Sequence, residues 1–213
     1  MRAGKVRAIG ASNHAGWQLM KALGVSDHRG WPRYSAHQVA WSLAMREAEW
    51  DLAPLAADQN VATLVWGPLA GGALTGRYGR KGEPFARSRY AEFALGLTGD
   101  EQLQHVVDCL TEIGREAGLT QSQVALAWLL QRPTVASVLV GASSAEQLES
   151  NLDAIPVNLS GDQIARLDEV SAQRAPYPHG LQLGPGSERI ARPASGGNNI
   201  RVDRALGVAT PAP

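Results

Sequence analysis

Residues 62–78, ATLVWGPLAGGALTGRY, decide how this chain folds: a short apolar run closing on an aromatic gives way to a loop carrying Gly67, Gly71, Gly72 and Gly76. Residues 62–66 have the length, apolarity and β-branching of a buried strand, and the glycines allow positive φ and close backbone approach. A loop of this kind can turn backbone N–H groups toward an anion. It is not a Walker loop, because Ala73 and Leu74 stand where Lys and Ser/Thr are needed after Gly72, and G-x-G-x-x-G is absent. Taken alone, the stretch fits a ligand-free glycine connection equally well.

Outward from this strand the same unit repeats. Residues 6–9 read as a strand ending at Gly10, after which Ser12-Asn13 opens a helical pattern carrying Trp17, Leu19, Met20 and Leu23. Residues 35–39 form the second strand candidate, and residues 45–58 an amphipathic helix blemished by Pro54. After the glycine loop and the basic segment 77–93, a long helix is expected over 100–117. Thr120 and Gln123 have capping-box spacing for a helix over 121–131, which Arg132-Pro133 stops; a fourth strand follows at 137–140. Ser144 with Gln147 caps a helix through Leu152, and Ser160 with Gln163 caps another ending near Ala175. From Gly180 onward Gly, Pro, Ser and Asn dominate, with Ile190, Ile200 and Leu206 too scattered to define a face; this reads as a flexible tail over 179–213.

Strands alternating with helices imply a parallel α/β sheet, doubly wound or part of a (β/α)8 barrel, and in both a ligand sits beyond the carboxyl ends of the strands. Here Ser12-Asn13, Gln38, Trp66 with its glycines, and residues 141–144 fall at those ends, so one pocket would collect them. Twenty basic against twenty acidic residues leave no electrostatic footprint for nucleic acid or an anionic membrane, which points to a small-molecule partner. The lone Cys109 excludes an internal disulfide and a thiolate cluster. No secretory leader or run of 18 apolar residues is present, so a cytoplasmic location is expected.

Four motifs then resemble the aldo-keto reductases, in particular the branch with bacterial oxidoreductases and potassium-channel β subunits. Residues 4–13, GKVRAIGASN, resemble G-K-V-R-x-I-G-x-S-N, and Gln38-Val39-Ala40-Trp41-Ser42-Leu43 with Arg46 and Glu49 resembles Q-x-x-Y-S-L-x-x-R-x-x-E. Residues 66–72, WGPLAGG, with Leu74, Gly76 and Tyr78 are similar to W-S-P-L-A-x-G-x-L-x-G-K-Y, and residues 141–148, GASSAEQL, with Asn151 to G-x-S-x-x-E-Q-L-x-E-N. The resemblance covers roughly residues 3–178 and implies the second half of a (β/α)8 barrel, strands 5–8 with their helices.

It further implies NADP(H) as cofactor. Ser12, Asn13 and Gln38 match positions that hydrogen-bond the nicotinamide carboxamide, and Trp66 the aromatic stacked on its ring. Gly67, Pro68, Leu69, Ala70 and Gly71 match the loop around the pyrophosphate, with Arg77 near the usual Lys and Ser88-Arg89 at the adenosine end. Gly141, Ser143, Gln147 and Asn151 match the segment contacting the 2′-phosphate and adenine. Gly67 stands for Ser, Arg77 for Lys and Ser150 for Glu, which leaves NADP over NAD a preference only. Plainer roles stay open for each: helix caps for Ser12, Asn13, Ser144 and Gln147, a sheet hydrogen bond for Gln38, a core aromatic for Trp66, solvated charges for Arg87 and Arg89.

The resemblance implies carbonyl reduction with a Tyr proton donor tuned by Lys, Asp and His, all from the family's first half, and none of those motifs is found here. No stand-in emerges: His37, next to Gln38 on a strand, should face the opposite side, His14 fits a helix start, and Cys109 fits a core thiol. The readings carried forward are an inactive fragment of an NADP-dependent reductase acting on a small-molecule carbonyl, a half-barrel completed by another copy or a partner chain, a non-catalytic dinucleotide binder, and a different parallel α/β protein.

Overall fold

Four strands carry the sheet of this protein, seen in a computed structural model that describes residues 1–78, 100–183, 200–203 and 208–211. They are β1 (Gly10–Ser12), β2 (Ala36–Ala40), β3 (Ala62–Trp66) and β4 (Val135–Val138), hydrogen-bonded in the order β1-β2-β3-β4. β1 and β2 run parallel, with Gly10 opposite Ala36, Ala11 opposite His37 and Ser12 opposite Gln38. The parallel α/β class expected from the sequence is therefore present. The first strand lies later than residues 6–9: Val6 and Ile9 are exposed, and the pairing groups belong to Gly10, Ala11 and Ser12. The fourth begins earlier than residue 137, directly after the Arg132-Pro133 stop.

By its contacts the chain divides into two compact units, one of Met1–Val39, Glu47–Leu64 and Arg174–Pro213, the other of Ala40–Arg46 and Val65–Gln173. In the first, Ala11, Leu19, Leu23 and Val61 form a core closed by Tyr34 and Leu55. Helix α1 spans Gly16–Arg29, not starting at Ser12-Asn13 as expected; its N-cap is Ala15, whose N–H donates to the Gln18 side chain, and it ends on Gly30 in the left-handed region. The helix expected over 45–58 is broken into a 3-10 turn, Glu47–Glu49, and α2, Leu52–Gln59. Pro54 explains this division. It stands in the first turn of α2, where its missing N–H has no intrahelical acceptor to lose.

The second unit is built on α4 (Gln121–Leu130), in which every residue from Gln123 to Leu129 is buried, as a helix apolar all round requires. It packs on α3 (Asp100–Ala117) and β4, and α3 in turn packs on α6 (Gly161–Val170). Thr120 and Ser160 cap their helices with the expected boxes, each reciprocated by the Gln three residues on. Helix α6 stops at Val170, short of residue 175, where Ser171 takes the C-cap and its backbone N–H bonds back to the last turn. Helix α5 (Ala145–Leu152) has no buried residue at all.

Around Trp128 the unit holds an aromatic and charged cluster. Trp41 meets Trp128 edge-on with centroids 6.4 Å apart, while the guanidinium carbons of Arg132 and Arg46 lie 4.0 and 4.8 Å from the Trp128 ring centre. Asp168 on α6 accepts from Trp128 Nε1 at 2.9 Å and Arg132 Nη2 at 2.6 Å, and faces Arg46 Nη2 at 3.3 Å. Arg46, which the sequence offers only as part of a motif, is thus an architectural residue.

Within 179–213 the composition suggests no element, yet the described residues include α7 (His179–Leu183) and strands β5 (Ile200–Asp203) and β6 (Val208–Pro211), paired antiparallel with Ile200 opposite Pro211. Backbone pairing needs no apolar periodicity, so scattered Ile and Val gave no signal of it.

Candidate functional site

The glycine loop owes its path to its backbone. Ala70, Gly71 and Gly72 adopt successive positive φ values of 50°, 58° and 97°, and Gly67 stands at 66° before them. Three left-handed residues in a row turn the chain sharply between two short 3-10 segments, with Gly72 N–H returning to Leu69 O at 2.9 Å. At Gly72 a side chain would also press on the Tyr78 ring. The turn needs the glycines for conformation and for space.

This loop and the segment after β4 border one cavity of about 830 Å3 within the second unit. Trp66, Gly67, Pro68, Leu69, Gly71 and Arg77 line it from one side, and Gly141, Ser143, Gln147 and Asn151 from the other. These are ten of the residues the sequence nominates. Ala70, between these lining residues, is fully buried and holds the turn. Arg89 lies outside the described residues, as do Arg87 and Ser88.

Trp66 is half-buried at the cavity wall, unlike Trp41 and Trp128, which are 2% and 0% exposed, so the core-aromatic alternative does not hold for it. Gln147 takes the capping role, its backbone N–H donating to Ser144 Oγ, and its Oε1 also accepts from Ser143 N at 2.9 Å and Ser143 Oγ at 3.0 Å. Sequence reading missed Thr75 and Ser122, which also line the cavity. Ser122 is brought there by the packing of α4 on the glycine loop, where the Gln121 side chain fills the space a Gly76 Cβ would need. No local motif announces that contact. Among the described residues the lining contains one cation, Arg77, and no carboxylate.

Ser12, Asn13 and Gln38 meet in the first unit. Asn13, at φ 54°, donates its backbone N–H to Gln38 O at 3.0 Å, and Ser12 Oγ donates to Gln38 Oε1 at 3.3 Å. Because Ala15 is the N-cap of α1, the capping alternative for Ser12 and Asn13 fails. His37 is buried beside Val39 on the face of β2 opposite Gln38, as the alternation of a strand demands. Its Nε2 accepts the His14 backbone N–H at 3.2 Å, and His14 Nδ1 lies 3.0 Å from Ser12 O. Burial, followed by the neighbouring His14, holds the His37 pKa below the ordinary histidine value.

Cys109 is half-buried on α3, and burial pushes its thiol pKa up, away from thiolate chemistry. Among the described residues no group of three His, Cys, Asp or Glu converges to hold a metal ion, and no helix is long and apolar enough to cross a membrane.

Comparison with known proteins bears on this geometry. The chain is 34% identical over 169 residues to protein tas of Escherichia coli, covering 79% of this chain and 49% of that protein. It is 30% identical over 170 residues to the uncharacterized oxidoreductase YrpG of Bacillus subtilis, covering 80% and 50% respectively. A probable voltage-gated potassium channel subunit beta of Arabidopsis thaliana shares 34% identity over 118 residues, 54% of this chain and 36% of the plant protein. The chain therefore spans about half the length of the first of these relatives. The pattern that defines the aldo/keto reductase family matches residues 1–172, and the chain belongs to that family.

Proposed function

We propose that this chain is the dinucleotide-binding half of an NADP(H)-dependent carbonyl reductase, with residues 1–178 forming strands 5–8 of a (β/α)8 barrel and their helices, and 179–213 a tail. One observation carries the reading: two stretches far apart in sequence, around Trp66 to Arg77 and Gly141 to Asn151, border one cavity whose lining offers a cation and neutral donors and, among the described residues, no carboxylate. That chemistry fits a ligand bearing phosphates. Bound NADPH supplies the hydride for reduction of a small-molecule carbonyl.

The chain's own residues bind and orient. Trp66 would offer a ring face to the nicotinamide, the turn of residues 67–72 would lie along the pyrophosphate, and Arg77 would add its charge. Ser143, held by Gln147, would meet the adenosine end together with Asn151, which lines the same cavity. The Ser12, Asn13 and Gln38 cluster is assigned to the carboxamide, whose donors and acceptors need neutral polar partners. The Tyr, Lys, Asp and His that protonate the carbonyl belong, in this reading, to the half of the relatives that the chain does not span, and a cytoplasmic location goes with it.

Fluorescence titration of the chain with NADPH should give weak, saturable binding that NADP+ competes, while reduction of aromatic aldehydes stays at background. Arg77→Ala should weaken that binding about tenfold, the size of one charge-assisted contact. Turnover by a monomer of this chain, or absence of saturable binding, overturns the reading.

A specific observation also favours a partner. On α5 and just beyond it, Leu148, Leu152 and Ile155 are 43%, 49% and 66% exposed, an apolar stripe at helical spacing. A second copy or a separate chain would cover it. Reading the coding DNA upstream of Met1 for an in-frame strand and helix series with Asp, Tyr, Lys and His distinguishes a covalently continuous half from a separate one.

A further inference from the structure

His37 and His14 are joined to the turn that follows β1. Four hydrogen bonds close the turn of residues 12–15 on β2 and on itself: Asn13 N–H to Gln38 O, Ser12 Oγ to Gln38 Oε1, His14 N–H to His37 Nε2, and the His14 ring to Ser12 O. A backbone N–H can only donate, so the bond to His37 requires a lone pair on Nε2 and hence a neutral imidazole carrying its proton on Nδ1. A carbonyl can only accept, so His14 carries a proton on Nδ1 whatever its charge. Protonating His37 would set one donor against another at 3.2 Å and leave the His14 amide without its acceptor.

We propose that His37 is a positioning residue whose neutral imidazole fixes Ser12 and Asn13 against Gln38, so that ligand capture by this cluster is gated by one proton. The proposal rests on the assignment of Ser12, Asn13 and Gln38 to the cofactor amide. Other titratable groups lie around His37. From the turn it faces the His14 ring, centroid to centroid 6.3 Å and edge-on; Tyr34, on the segment leading into β2, lies 6.4 Å from His14. The carboxylate of Asp51, at the N-cap of α2, lies against Gly16 at the start of α1, and His14 is the only charged or titratable side chain that shifts His37 among the described residues. Burial, followed by the neighbouring His14, lowers the His37 pKa, in the same direction as the neutral ring that the His14 amide requires.

The test uses the full chain and three variants, read by two independent measurements. Long-range 1H–15N NMR of the histidine rings should show His37 as the Nδ1–H tautomer, with the His14 amide signal titrating together with that ring below the ordinary histidine range. His37→Gln keeps an acceptor near Nε2 but cannot titrate, so its His14 amide should stay protected and pH-independent. His37→Phe fills the space without an acceptor and should lose that protection at every pH. His14→Gln retains the backbone donor and should leave the His37 tautomer unchanged. In parallel, NADPH affinity of the unmodified chain should fall by up to tenfold per pH unit below the His37 transition, and His37→Gln should abolish that dependence. A His14 amide indifferent to His37 charge overturns the positioning role. A titrating turn with NADPH affinity flat in pH, while NADPH still binds, overturns the gate by separating this cluster from the cofactor; absence of all NADPH binding instead overturns the cofactor reading on which the gate rests. If His37→Phe does not fold, the titration of the unmodified chain against His37→Gln decides alone.

Discussion

Asp168 holds more of the second unit together than its position near the surface suggests. Its carboxylate accepts from Trp128 Nε1 and Arg132 and faces Arg46, while Arg46 also donates to Ser171 Oγ at 2.6 Å. The two arginine side chains are 9% and 6% exposed, so removing their shared anion strands two guanidiniums out of water. Asp168→Ala should cost about 2–4 kcal/mol, and Asp168→Asn about half of that because an acceptor for Trp128 survives. Urea unfolding monitored by tryptophan fluorescence measures both, and an Asp168→Ala midpoint equal to that of the unmodified chain would refute this account. His37 predicts a pH effect of definite sign. Its folded pKa is lowered, so the unfolded chain takes up the proton first; the contribution to stability is whole above about 6.5 and is lost as the pH falls from there toward the folded value. The difference in urea midpoint between pH 7.5 and pH 5.5 should shrink in His37→Gln; an equal loss in both chains would show that His37 does not contribute it.

Between elements, the helix caps separate what is cooperative from what is local. Thr120 starts α4, a helix buried along its whole core length, so Thr120→Ala should lower global stability by about 1 kcal/mol. Ser144 starts α5, which buries nothing, so Ser144→Ala should speed amide exchange in α5 while the global unfolding midpoint barely moves. Hydrogen exchange of the two variants reads the contrast; a shared shift of the global midpoint would mean that α5 is part of the cooperative core. The same distinction explains what the sequence made legible. β3, α3 and α5 fall on their expected bounds because apolar runs, length and caps coincide there. β1 lies later than its sequence suggests because β-branched Val6 and Ile9 mimic a strand, whereas the register with Ala36 and His37 is fixed by pairing that no local propensity encodes. Pro54 was legible as a breaker but not as the first turn of a helix. At the site, Trp66, the glycines and Gln147 were legible from their motifs, while Ser122 and the architectural trio of Arg46, Arg132 and Asp168 depend on helix packing across large sequence separations.

At the scale of the whole molecule, surface apolarity and charge act in the same direction. Twenty basic and twenty acidic residues leave no net repulsion between copies at neutral pH, and α5 presents Leu148 and Leu152 to solvent with Ile155 just beyond. Exposed apolar stripes on a chain without net charge drive association until something covers them. Sedimentation velocity across the micromolar range should therefore show concentration-dependent association of the unmodified chain at pH 7. The double variant Leu148→Lys and Leu152→Lys should sediment as a monomer, with its urea midpoint unchanged because α5 contributes no buried side chain to the core. The stability control matters, since a lowered midpoint would attribute the change to unfolding and not to a surface. If the unmodified chain is monomeric throughout, the stripe is not a contact between copies, and the partner it favours must be a different chain; if both chains associate equally, the contact lies elsewhere on the molecule. NADPH titration of the double variant tests ligand and partner together, because Gln147 and Asn151 line the cavity from the same helix that carries the stripe. Affinity retained alongside lost association would show that α5 meets ligand and partner with separate sets of side chains.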